Sequence, residues 1–313
     1  MTRPETINAP RLAHGQPGET TVMVIDGQRA FGGRRGGYRT TVRHIPLESL
    51  QAGDLVISYT GKALRLRMAG SRVEANTCQP FNGALITARS EGGLASSYTP
   101  EHLCIAKTGG AFRGRTLLYL MQRGSSYRVG VTSAYHSRGG QRGYSSGLAA
   151  RLLEEYGDAI WVLDVFDDKR DALVAEAMTV VLYGVPEMRF ISHGQPSAIG
   201  QERLDGFWNA LGDLTGKAAA CLAAHGRDIR YPIAARTHNE VGVRIGYSLY
   251  TRATKVRACN LITGMDLLDA RPLCDRRDQR ASRFDSAWAP ITITREPYQG
   301  AIWSLTVETD HTY

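Results

Sequence analysis

What most constrains this chain is a change of texture that later reverses. From "ETTVMVIDGQ" to "EHLCIAKTGG" the sequence runs in short β-rich pieces broken by glycine, among them "GDLVISY", "NGALITARS" and "LCIAK". Little helical periodicity interrupts them, so this part predicts a small all-β unit. From about Arg115 the pattern changes. "RTLLYLMQRGSSYRVGVT" predicts two strands around a Gly-Ser turn, "GLAARLLEEYG" a helix, "DAIWVLDVFD" a strand, and "DKRDALVAEAMTVVLYG" a helix stopped by Gly184 and Pro186. "QERLDGFWNALGDLTGKAAACLAAHG" then predicts one or two helices with "DLTGK" as the break. After "YPIAARTHNE" the β texture returns through "GVRIGYSLYT" and "KVRACNLITG". With β pattern on both sides, the simplest organisation is one β domain interrupted by an inserted α/β domain.

The closing run "WSLTVETDHTY" alternates, with Trp303, Leu305 and Val307 on one face and Ser304, Thr306 and Glu308 on the other. Such a strand needs a partner, supplied earlier in the chain or by sequence beyond it. Composition excludes several classes. The 42% hydrophobic content of the 313 residues suffices for sizeable cores. No apolar stretch approaches the roughly 20 residues of a bilayer span, and "MTRPETINAPRLAHGQPG" lacks the apolar centre of a signal peptide, so a soluble, cytoplasmic protein is expected. Five scattered cysteines with no CxxC pair argue against a disulfide framework or a zinc site. The formal charge of +8 is concentrated in "GGRRGGYRTTVR" and "RPLCDRRDQRASR", which suit either phosphate contact or solvated loop faces.

In the first β segment, "YTPEHLCIA" sets Thr99 three residues before His102. A lone Thr-x-x-His equally describes a structural histidine. Its company is more specific: "PGETTVMVIDG" upstream, "IPLESLQAGDLVISYTG" between, and "YQGAIWSLTVETDHTY" at the far end. Together these resemble the Hint (hedgehog/intein) family of autoprocessing domains, over residues 13–110 and 251–313. The resemblance implies a horseshoe-like β domain in which Ala13, His102 and His311 meet, with residues 1–12 a flanking remnant of a host protein (extein) joined in cis. It implies that His102 polarises the Leu12–Ala13 peptide bond, that Thr99 positions it and that His311 assists at the other junction. Ala13 stands where inteins usually carry a cysteine or serine nucleophile, and Ser304 stands for the family's aspartate. The chain also stops short of the family's terminal His-Asn, so splicing is expected to be impaired.

The inserted module carries a second resemblance. "LLYLM" with Tyr119, "SYRVGVT" with Tyr127 and Gly130, then Arg151 and Glu176 on successive helices, resemble the GIY-YIG nuclease superfamily in its degenerate branch. The implied nuclease insert spans 111–195, with 196–250 a helical connecting segment. The resemblance implies a homing endonuclease of phage or bacterial type that cuts double-stranded DNA. Glu176 would hold Mg2+, a tyrosine, Tyr119 or Tyr127, would activate water, and Arg151 would offset phosphoryl charge. Arg138 and Arg142, in the glycine-rich "SRGGQRGY", compete for the arginine role and could track a DNA backbone. Arg128-Val129 fills the "YI" place, which shifts Tyr127 by one and turns it, on an ideal strand, to the other face. Ala172, Leu173 and Val180 are expected to form the apolar face of the helix bearing Glu176. Two alternatives stay open: a catalytically degenerate DNA-binding module in a Hint scaffold, and an autoprocessing remnant with no DNA role.

Overall fold

A computed structural model describes residues 15–31, 37–60, 65–91, 95–108, 110–137, 144–192, 199–239, 242–247, 254–272 and 284–308. The fold is β-rich and largely antiparallel, with four α-helices among these residues. None of those helices is long and apolar enough to cross a membrane. The chain divides into two units, one made of Met1–Leu103 with Leu267–Tyr313 and one of Cys104–Asp266. The second therefore interrupts the first in sequence. Its edges differ from those drawn at 110 and 251, because residues 254–266 pack with the second unit. Arg227 donates to the carbonyls of Cys259 (2.7 Å) and Leu261 (3.1 Å), and Asn260 donates to that of Tyr231 (3.0 Å).

The first unit is built on strands β1 (Gln16–Pro17), β2 (Thr21–Phe31), β3 (Gly37–Pro46), β4 (Leu55–Thr60), β5 (Arg65–Ser90) and β6 (Ala95–Tyr98), together with the closing strand Phe284–Val307. The first third of β5 pairs with β4, from Arg65 opposite Thr60 to Arg72 opposite Leu55. The remainder pairs with the closing strand, from Val73 opposite Val307 to Ser90 opposite Ile291. The run "WSLTV" thus finds its partner earlier in the chain. Leu305 and Val307 are buried and Trp303 packs beside them, while Thr306 and Glu308 face solvent, as the alternation predicts. Val22, Val24, Leu47, Leu50, Val56 and Val73 complete this core. Asn76 closes one wall of it, donating to the carbonyls of Leu47 (2.8 Å) and Leu50 (3.0 Å).

The second unit contains strands β7 (Leu103–Lys107), β8 (Thr116–Arg123), β9 (Ser126–Ser133), β10 (Tyr135–Ser137), β11 (Tyr144–Ser146), β12 (Ala159–Phe166), β13 (Ala234–Asn239), β14 (Gly242–Tyr247) and β15 (Thr254–Arg257). Its helices are α1 (Gly147–Glu154), α2 (Lys169–Tyr183), α3 (Gln201–Leu211) and α4 (Thr215–Ala224). Five strands form an antiparallel sheet in the order β14-β13-β12-β8-β9. The β8–β9 hairpin turns through Gly124 and Ser125, with Gly124 at φ +60° and its N–H held by the Asp158 carboxylate at 2.8 Å. The central strands are apolar without alternation because both of their faces are covered. Leu117, Leu118, Leu120, Met121 and Trp161 are all fully buried. Helix α2 starts on the Asp168 cap and ends at Gly184, whose φ of +65° suits glycine. The break between α3 and α4 falls at Gly212–Leu214.

One ion pair lies inside this unit. Arg128 and Glu155 are both buried and paired, and the second Glu155 oxygen accepts the Phe190 N–H at 3.0 Å. Neither charge can find water if the other is removed. Arg128→Met or Glu155→Met alone should cost about 3–5 kcal/mol, and the double substitution much less than the sum. Urea denaturation of the three variants measures this; additive costs would show that the pair is not coupled.

Candidate functional site

In the first unit, Thr99 is fully buried and grips Gly15 from both sides. Its hydroxyl accepts the Gly15 N–H at 3.0 Å, and its own N–H donates to the Gly15 carbonyl at 3.0 Å. The His102 N–H then closes a turn onto the Thr99 carbonyl at 3.0 Å, and the His102 ring stacks on Tyr98 with centroids 4.9 Å apart. Residue 15 has no room for a side chain. A Cβ there would stand 2.5 Å from the Trp303 carbonyl oxygen, and the next residue, Gln16, pairs with Trp303. Two bonds and a strand pairing therefore hold residues 15 and 16 in place. Ala13 and His311 lie outside the described residues, so their meeting with His102 is not described.

In the second unit, Tyr119 on β8 stands directly opposite Gly130 on β9. The tyrosine ring occupies the space a Cβ on residue 130 would need. That close fit explains glycine at this place in the strand. Arg128, two residues away on the same face, holds its guanidinium 5.9 Å from the Tyr119 ring centroid. Burial raises the Tyr119 phenol pKa; the charges of Arg128 and Arg151 oppose the rise, and those of Glu155 and Glu176 add to it. Arg151 and Glu176 thus each act on the Tyr119 hydroxyl through their charge. Arg151, on α1, is partly exposed and donates to Glu154 at 2.9 Å.

Glu176 faces inward from α2 with Ala172 and Thr179. Leu173, expected on that inner face, points outward instead, because the helix packs through the line 172–176–179. Burial raises the Glu176 carboxyl pKa first and the Glu187 charge raises it further, while Arg128 and a hydrogen bond from the Val131 N–H pull it back. Among the described residues no group of three or more His, Cys, Asp or Glu is placed to hold a metal.

Tyr127 is not part of this cluster. It lies on the opposite sheet face, its ring 6.5 Å from Trp161 and its hydroxyl bonded to Thr215. The one-residue shift already visible in "SYRVG" has that consequence. Arg138 and Arg142 lie outside the described residues. Sequence reasoning missed Glu155 and Glu187, which carry no local signal; Arg128 had one, a cation in an otherwise apolar strand. Compared with known protein families and with characterised proteins, the chain matches none significantly.

A carboxyl whose folded pKa is raised contributes stability that is complete below its unfolded pKa and is lost as pH rises through the folded one. Glu176→Gln removes that loss. The variant should unfold at a higher temperature than the parent at pH 8 and at the same temperature near pH 4. Thermal scans across that range check it, and a lower melting temperature at pH 8 would contradict the burial argument.

Proposed function

We propose that this chain is an intein-like Hint scaffold interrupted by a GIY-YIG-type nuclease that cuts double-stranded DNA. The observation that carries the reading is Tyr119 seated over Gly130 with Arg151 and Glu176 in its electrostatic reach, inside a unit that splits a β unit in sequence. In this reading Glu176 holds Mg2+, which supplies positive charge for the phosphoryl transition state. Tyr119, protonated at neutral pH, donates a hydrogen bond to the attacking water or to a phosphate oxygen. Arg151 turns from Glu154 to offset phosphate charge, while Arg138 and Arg142 follow the DNA backbone. In the scaffold, Thr99 fixes Gly15 and so the path of the chain into the Leu12–Ala13 bond, which His102 polarises.

A second reading is a DNA-binding module without cleavage. Arg128 favours it, because it stands beside Tyr119 where a second tyrosine would serve and is committed to Glu155. Supercoiled plasmid separates the two readings. The parent should nick or cut it with Mg2+, and Glu176→Gln should lose cleavage while keeping DNA affinity, with binding in both weakening steeply as salt rises. Binding without cleavage across several divalent metals would establish the second reading, and full-rate cleavage by Glu176→Gln would remove Glu176 from the mechanism. For the scaffold, Ala13→Cys should make the 12–13 bond cleavable by added thiol, measured by mass spectrometry. A folded variant that thiol leaves intact would refute the junction at that bond.

A further inference from the structure

The outward face of helix α2 is apolar. Ala172 and Thr179 pack inward, yet Leu173, Val174, Met178, Val181 and Leu182 are all exposed, Val181 at 82% and Leu182 at 67%. An apolar helix face normally packs against another body. Ala177 completes the outward face, and no charged residue interrupts that face between Leu173 and Leu182. These side chains present on the order of 500 Å² of apolar surface, comparable to the largest patch that a monomer ordinarily leaves exposed and often uses.

The order of residues on this face says what covers it. Counted inward from its two ends, Leu173 matches Leu182, Val174 matches Val181, and small Ala177 matches large Met178. We propose that α2 is the interface of a two-fold homodimer, two copies crossing antiparallel about an axis between Ala177 and Met178. Val174 and Val181, which lie within about 20° of each other around the helix, then meet across the axis in both directions, and each Met178 lies beside the partner's Ala177, which is the self-complementarity that an isologous contact requires. Val174, Met178 and Val181 keep the four-three spacing of a helix–helix seam. Arg170 and Asp171, the charges at the start of this face, fall at opposite ends of the paired helices, so like charges do not meet. The exposed apolar area of this face, on the order of 500 Å², is of the size class of the roughly 800 Å² per partner that a stable interface buries. The proposal goes beyond the nuclease reading and does not depend on it.

Sedimentation equilibrium of the full chain tests it without DNA. The parent should be a dimer at micromolar concentration. Val174→Lys and Val181→Glu should each raise the dissociation constant at least tenfold with an unchanged circular dichroism spectrum. Combined in one chain, they should restore the dimer, because the ammonium introduced by the first substitution then faces the carboxylate that the second introduces on the other copy. Should either charge variant fold poorly, Val181→Ser removes apolar area without adding charge and should still weaken association. A monomeric parent, or a dimer indifferent to all of these substitutions, would overturn the proposal, as would a double variant no better than the singles.

Discussion

The second unit depends on a charge pair that has no access to water. Arg128 comes from the edge strand of the sheet and Glu155 from the end of α1, and Glu155 also holds the backbone at Phe190. Three segments far apart in sequence are therefore tied at one point. Isolated, either charge would be costly in that interior, so the pair penalises any packing that separates these segments. It also sets the polarity around Tyr119, whose hydroxyl lies between the fields of two arginines and two carboxylates. The same guanidinium therefore both anchors the packing and acts on the Tyr119 hydroxyl.

Local structure is legible in the sequence where turn and cap chemistry determines it. Gly124-Ser125 marks the hairpin, Gly184 the end of α2, and Gly212 the break between α3 and α4. The hairpin register follows, and with it Gly130 opposite Tyr119 and Tyr127 on the other face. Contacts with large sequence separation carry no such signal. Nothing in "EEYG" shows that Glu155 is buried against Arg128, and nothing near Asn260 shows that it belongs with Tyr231. The orientation of α2 escapes the sequence for a related reason. With a broad apolar face and an acid beside it, the pattern alone does not say whether Leu173 or Glu176 faces the sheet.

The Gly15–Thr99 clamp holds one backbone position of the first unit with few atoms. Two backbone-directed hydrogen bonds and a strand pairing act on one residue that cannot carry a side chain. A glycine here trades conformational freedom for contact with the Trp303 backbone, and the buried threonine hydroxyl replaces water as its partner.

The division of β5 between two partners has a consequence for how the protein is made. Its later two-thirds pair with residues 291–307, more than two hundred positions further on. During synthesis that edge stays open until the whole second unit has emerged. A second unit that folds first shortens the effective loop to be closed, because a compact body brings its ends within reach while an unstructured segment of equal length must give up their separation entropically. How soon the interrupting unit folds thus sets how long the first unit waits with an unsatisfied β edge exposed.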